Sequence, residues 1–310
     1  MPLSLRHGRV SAITERHDEL VRLEVDGVPC VAYPSVTGPV ELEDEVLVNV
    51  QARELELGSG GFDVLYANLT RGLELPAEEG AHVMVLPYTP LQHARLFVEE
   101  SGELDADLHG LPVVCCSLHS QVTPACAALA GLRVAYVQLA GGALPVSLSD
   151  TVRALRERGL VEVTAAVAPC FDADVQCVST ASALAWARQA HDVAVCSIGP
   201  GIVGTGTRFG HGGLAAAEAA NVALALGGVP VIAVRASAAD ERPRHRGVSH
   251  HTDAVLSFVH GEAVVPQDGE GWREACEGLP LSHMGRGPDD DPEFFAAAYA
   301  AGAAARELVG

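Results

Sequence analysis

Two strand-like runs between Asp192 and Thr252 each empty into a loop stocked with groups that hold anions or move protons. DVAVCSI leads into GPGIVGTGTRFGHGG, and VPVIAVRAS leads into AADERPRHRGVSHHT. In the first loop Gly199, Gly201, Gly204 and Gly206 let backbone N–H groups come close to an anion, and Thr205 and Thr207 add hydroxyls. The second loop places Arg235, Arg242, Arg244 and Arg246 with His245, His250 and His251 inside seventeen residues, and Ser237 and Asp240 lie among them. Guanidinium neutralises phosphate or carboxylate and grips it with two donors. Imidazole titrates near neutral pH and serves as acid, base or metal ligand. The chemistry this pattern expects is binding of a phosphorylated or otherwise anionic small metabolite or nucleotide, with His250 or His251 moving a proton.

Ser249 stands where it can cap a helix running HHTDAVLSFV, which puts His250 and His251 in its first turn. The positive end of a helix disfavours imidazolium, so both rings are expected neutral. Adjacent helical side chains diverge by about 100°. One metal shared by His250 and His251 is therefore awkward, and His245, His119 or His211 would have to complete the set. A divalent metal stays an open cofactor reading on His245, His250 and His251. Asp240 can orient a histidine or bind metal, or serve only as a turn residue.

Other strand ends contribute Ser117, His119, Ser120 and Gln121 in CCSLHSQ, and Gln138, Gly141 and Gly142 in VQLAGGALP. Asp172 and Asp174 follow another run, as does Cys170. A Ser120–His119 hydrolase pair finds no G-x-S-x-G elbow. GPGIVG does match the G-x-G-x-x-G dinucleotide spacing, and Arg235 could face a 2′-phosphate, which makes an NADP-dependent oxidoreductase the second alternative. That fingerprint should open a helix at once, whereas TGTRFGHGG intervenes. The first alternative to an enzyme is a sensor that uses the same pocket without turnover.

Composition narrows the chemistry. All 20 basic residues are arginine and the chain has no lysine, which removes Schiff-base and P-loop lysine mechanisms. With 40 acidic residues the net charge is −20, a field that repels nucleic acid and anionic membranes. The 8 cysteines show no CxxC pair and sit mostly in apolar runs, as buried reduced thiols do. The start, MPLSLRHGRV, lacks the apolar centre of a signal peptide, and no apolar stretch is long enough to span a bilayer. A cytoplasmic protein is expected.

The elements that must position these loops follow from periodicity. Up to about residue 105 the runs SLRHGRVSAI, ELVRLEVDG, VPCVAYPS, DEVLVNV and HVMVLPYT, with a tight Asp26-Gly27 turn, predict a small antiparallel SH3-like or OB-like β-barrel. From residue 106 to 310 the apolar runs LPVVCCS, LRVAYVQL, VEVTAAVA, DVAVCSI, VPVIAVRA and EAVVPQ alternate with helical segments. That alternation predicts a Rossmann-like, doubly wound, mainly parallel sheet. Helix starts are expected at Thr123-Pro124, Ser149-Asp150 and Asp291-Pro292. The Ala-rich final helix offers a face to another helix or to a second copy of the chain.

The phrases LGSGGFDVLYANL, HVMVLPYTPLQ, SLHSQ, GGALP, GPGIVGTGT and ADERPRHRGVSHHT resemble those of the bacterial domain of unknown function 3866 family, over nearly the whole chain. The resemblance implies a β module joined to an α/β domain. It implies no activity, and no catalytic residue comes with it.

Overall fold

The computed structural model describes residues 3–56, 61–71, 75–266 and 269–309. They form two compact units, Met1–Arg95 and Leu96–Gly310. The phrase LGSGG lies outside the described residues except for Gly61.

The first unit contains β1 (Leu5–Arg16), β2 (Val21–Val25), β3 (Val28–Ala32), α1 (Pro34–Thr37), β4 (Glu45–Asn49), α2 (Gln51–Glu54), β5 (Asp63–Asn68), β6 (Val83–Val85) and β7 (His93–Arg95). Asp26 and Gly27 both have positive φ, 51° and 76°, the geometry a two-residue hairpin between β2 and β3 requires. The barrel closes in the order β1-β2-β3-β5-β4, with β4 returning to β1 and β3 parallel to β5. This is the OB-like of the two expected modules. Alternating inward residues, among them Val10, Leu23, Val25, Val46, Val48 and Leu65, fill it. Its fifth strand is Asp63–Asn68, which the sequence reading passed over. The run expected in that place, HVMVLPYT, instead supplies β6, which among the described residues pairs only with β7.

The second unit is a three-layer α/β/α body. Its elements are β8 (Pro112–Cys116), α3 (Val122–Ala128), β9 (Val134–Leu139), α4 (Asp150–Glu157), β10 (Val163–Val167), β11 (Val175–Cys177), α5 (Thr180–Ala190), β12 (Val193–Ile198), α6 (Ala215–Ala225), β13 (Val229–Ala233), β14 (Ala236–Ser237), β15 (Gly247–Val248), α7 (His250–Phe258), α8 (Trp272–Ala275) and α9 (Pro292–Glu307). The six-stranded sheet runs β11-β10-β9-β12-β8-β13, every pairing parallel. Successive strand residues face opposite sides. Val113, Cys115, Val137 and Cys196 meet α5 and α6 on one face. Val114, Cys116, Tyr136 and Val195 meet α3, α4 and α9 on the other. A sheet buried on both faces needs such continuous apolar runs. Three-residue β11 was too short to stand out in the sequence. EAVVPQ makes only a bridge from Val264 to Val231.

Side-chain caps mark two of the helix starts, while α3 begins at Val122, just before the expected Thr123-Pro124, and α9 begins at Pro292 with no side-chain cap from Asp291. Ser149 caps α4 by accepting from the Val152 N–H, and Ser249 caps α7 by accepting from the His251 N–H. The alanine face of α9 packs on α3 within the chain, so closely that a Cβ on Gly302 would lie 2.0 Å from the Ala125 carbonyl oxygen. All eight cysteines are free and buried. Among the described residues no helix is long and apolar enough to cross a membrane.

Candidate functional site

The carboxyl ends of β8, β9, β12 and β13 carry the residues with unusual chemistry, at the edge where open α/β sheets bind ligands. Their glycines serve two different purposes. Gly141 and Gly142, after β9, press against Gly212 and Gly199 from the loop after β12. A Cβ on Gly212 would lie 1.9 Å from the Gly141 carbonyl oxygen, and one on Gly142 would lie 2.2 Å from that of Gly199. These four glycines let two backbones touch each other. Farther out, Gly201 and Gly206 take positive φ of 71° and 78°. The Thr205 and Thr207 hydroxyls bond each other at 2.9 Å, and the loop closes on Gly210 through both. Gly204 bridges His211, and α6 begins only at Ala215, so the G-x-G-x-x-G run opens no helix.

The outer part of this loop meets the loop after β13. Gly206 faces Arg244, whose Nη2 would lie 3.4 Å from a Cβ there. Phe209 packs edge-on against Phe258 of α7 at 5.5 Å. His211 stacks on His251 with ring centroids 3.7 Å apart and planes 13° from parallel. His250 lies 4.6 Å from His251 and 4.8 Å from His245, centroid to centroid. Four imidazoles from three chain segments thus share one site.

Two of the rings are held by a neighbour. Ser249 Oγ lies 2.7 Å from His245 Nδ1. Arg235 Nη1 donates to His251 Nδ1 at 3.0 Å. A guanidinium has no lone pair to offer, so His251 must accept there. Burial, followed by the neighbouring arginines and imidazoles, holds the cluster neutral: His245 falls to about 3, and His211, His250 and His251 are lowered too. Neutral imidazoles can accept a proton or coordinate a metal. One ring nitrogen from each of His245, His250 and His251 lies within 4.8 Å of the others, so the three residues can hold a metal ion.

Beneath the cluster lies a charge hub. Asp240, 1% exposed, bonds Arg242 at 2.7 and 2.9 Å, Arg286 at 3.4 Å and Arg235 at 3.5 Å. The hydrogen bonds from Arg242 keep the Asp240 carboxyl far below the usual range. It is a fixed anchor for arginines, too acidic to act as a base. Burial lowers Arg235 to about 10. Ser237 links the hub to its second carboxylate by donating to Asp291, which Arg286 also contacts. One carboxylate faces three guanidiniums at Asp240, while Arg244 and Arg246 remain exposed; the neighbourhood is cationic inside an acidic protein.

Several expected residues are occupied elsewhere. His119 bonds Ser149 Oγ at 2.7 Å and the Ile198 carbonyl, and burial lowers it to about 4. Gln121 ties Ser117 and Leu118 to the Ala233 carbonyl. Gln138 donates to Ala143 and Leu144. Asp174 serves Thr164 and Arg156, and Asp172 accepts from Ser147. Burial drives the Cys170 thiol up to about 12, which ends its candidacy as a nucleophile. Ser120 pairs not with His119 but with His283, Oγ to Nδ1 at 3.2 Å.

His283, Arg286 and Asp291 were missed as site residues. His283 is buried and stacked on Phe294 at 3.7 Å. The only signal was a His and an Arg bracketing Gly285 in SHMGRG, well beyond the loop that holds the other groups. A cavity of about 660 Å³ lined by Ala236 of β14 and Val248 of β15 is bordered by Glu270 and Glu293 and by none of the clustered histidines. Its carboxylates make it the wrong place for an anion.

No curated protein matches the chain. The model of a family described as a protein of unknown function, DUF3866, matches residues 29–270.

Proposed function

The chain belongs to the DUF3866 family, whose description assigns no activity, and from the geometry of its own residues we propose an enzyme of hydrolysis or group transfer on a phosphorylated or otherwise anionic small metabolite. One observation carries this reading: His211 from the loop after β12 stacks on His251 of α7, whose neighbour His250 lies against His245 from the loop after β13, while Gly206 of the first loop faces Arg244 of the second. Exposed guanidiniums, that of Arg244 among them, supply the charge that an anion needs. Neutral imidazoles above them can take a proton from water or from an acceptor hydroxyl as it attacks. The substrate is small and soluble, because the −20 net charge opposes nucleic acid and anionic membranes. A cytoplasmic setting fits eight reduced cysteines.

The test is a thermal-shift and calorimetric screen with inorganic phosphate, pyrophosphate, nucleotides and sugar phosphates, followed by turnover assays on whatever binds. Arg244→Ala should weaken binding about tenfold, the effect of one charge-assisted contact of about 1.4 kcal/mol. Single alanine variants at His211, His250 and His251 should keep binding while at least one loses turnover. Binding with no turnover of any ligand would make the site a sensor, and no stabilisation by any anion would end the proposal.

A further inference from the structure

His245, His250 and His251 bring three imidazole nitrogens within 4.8 Å of one another at the strand edge. A zinc-class ion takes histidine nitrogens at about 2.0–2.1 Å in a tetrahedron. Its ligand nitrogens then sit roughly 3.4 Å apart, a contraction of at most about 1.4 Å from the 4.8 Å limit seen here. Two further observations point the same way. His250 Nε2 is buried with no hydrogen-bond partner, so it has left water and received nothing in return. His245 is set as metal-binding histidines are, with Nδ1 held by Ser249 Oγ at 2.7 Å and Nε2 left over.

We propose that His245, His250 and His251 form a site for a divalent zinc-class ion, and that Arg235 competes with the ion for His251. Arg235 Nη1 donates to His251 Nδ1, which keeps the ring proton on Nε2 and denies the ion that lone pair. Loading requires the guanidinium to turn toward Asp240, already 3.5 Å from its Nη2. The His251 proton then leaves Nε2 and is regained at Nδ1, so the ring stays neutral and no net proton is released. Three protein ligands leave a fourth position for water or an oxygen of the anion, the arrangement of a catalytic ion and not a structural one. His211 remains outside the ligand set, stacked on His251, and is the imidazole still able to move a proton.

This inference deepens the anion-site reading and rests on it for the ion's role, though not for its binding. The experiment titrates the chelator-treated full chain with Zn²⁺ by calorimetry and with Co²⁺ by visible absorption. One equivalent with the intense bands of tetrahedral cobalt is expected. His250→Ala and His245→Ala should each weaken binding about 100-fold, and His250→Gln, which keeps the volume, should do the same if alanine impairs folding. Arg235→Gln should tighten binding about tenfold, because it removes both a competing donor and a positive charge; a residue that only braced the fold would weaken it. No stoichiometric uptake, uptake indifferent to both histidine variants, or weaker uptake in Arg235→Gln would each overturn the proposal. Inorganic phosphate titrated into the same metal-free protein reads the anion site separately, so either idea can fail while the other stands.

Discussion

The His211 ring lies flat on the His251 ring, 3.7 Å between centroids, although forty residues and an entire helix–strand unit separate them. This contact joins the loop after β12 to the first turn of α7 and so defines one wall of the site. His211→Ala removes that wall without touching the ion-pair hub. The expected result is a loss of stability of about 1 kcal/mol, the worth of one aromatic pair, and turnover reduced by two orders of magnitude, as for removal of a general base. Urea unfolding and steady-state kinetics measure the two effects.

Asp240 balances three arginines from beneath the cluster. Asp240→Ala leaves Arg235 buried without a carboxylate, and breaking a buried pair from one side costs about 3–5 kcal/mol. Asp240→Asn should cost less, since the amide oxygen still accepts. Equal losses in the two variants, read from urea midpoints, would show that the hub acts through shape and not charge.

Acid should weaken the fold in a window set by its buried histidines. Burial lowers His119 to about 4 from an ordinary 6.5. Well above pH 6.5 the ring is neutral in both folded and unfolded chains and contributes no pH dependence. Between 6.5 and 4 only the unfolded chain takes the proton, so stability falls as pH drops, by about 1.4 kcal/mol per unit. From pH 6.5 to 5 the loss from His119 alone is about 2 kcal/mol, and His245 and His283, both lowered to about 3, add in the same direction. Urea unfolding at the two pH values checks this, and His119→Gln should flatten the slope.

Glycines that look alike in the loop should respond differently. A Cβ at Gly212 meets the Gly141 carbonyl oxygen at 1.9 Å, whereas one at Gly204 meets the His211 Cβ at 3.5 Å, an ordinary contact. Gly212→Ala should cost about 2–3 kcal/mol through forced backbone separation, and Gly204→Ala less than about 1 kcal/mol. Thermal denaturation of the two variants makes the comparison.

Much of the fold was legible because its signals are local. Apolar runs of five or six residues marked β8, β9, β10, β12 and β13, since a strand covered on both faces takes mostly apolar residues. Ser149, Ser249 and the Asp26-Gly27 turn announced helix starts and a hairpin, since caps and left-handed turns depend on the residue itself. β11 and β5 escaped that reading. The first has only three residues, and the second is a barrel strand that follows a glycine-rich stretch.

The sequence by itself also determined which chemistry was stored at the strand ends: arginines without lysine, four histidines, and glycine-lined loops. Only the tertiary structure decided how these were spent. His119 and Gln121 went to bracing neighbouring strand ends, Asp240 to anchoring arginines, and Gly141 and Gly199 to backbone packing. His211 joined His245, His250 and His251, and His283 and Arg286 arrived from a remote segment. Residue type and spacing along a chain fix which groups a loop can offer. Which of them meet depends on the order of strands in the sheet, set by burial summed over the whole unit and written at no single position.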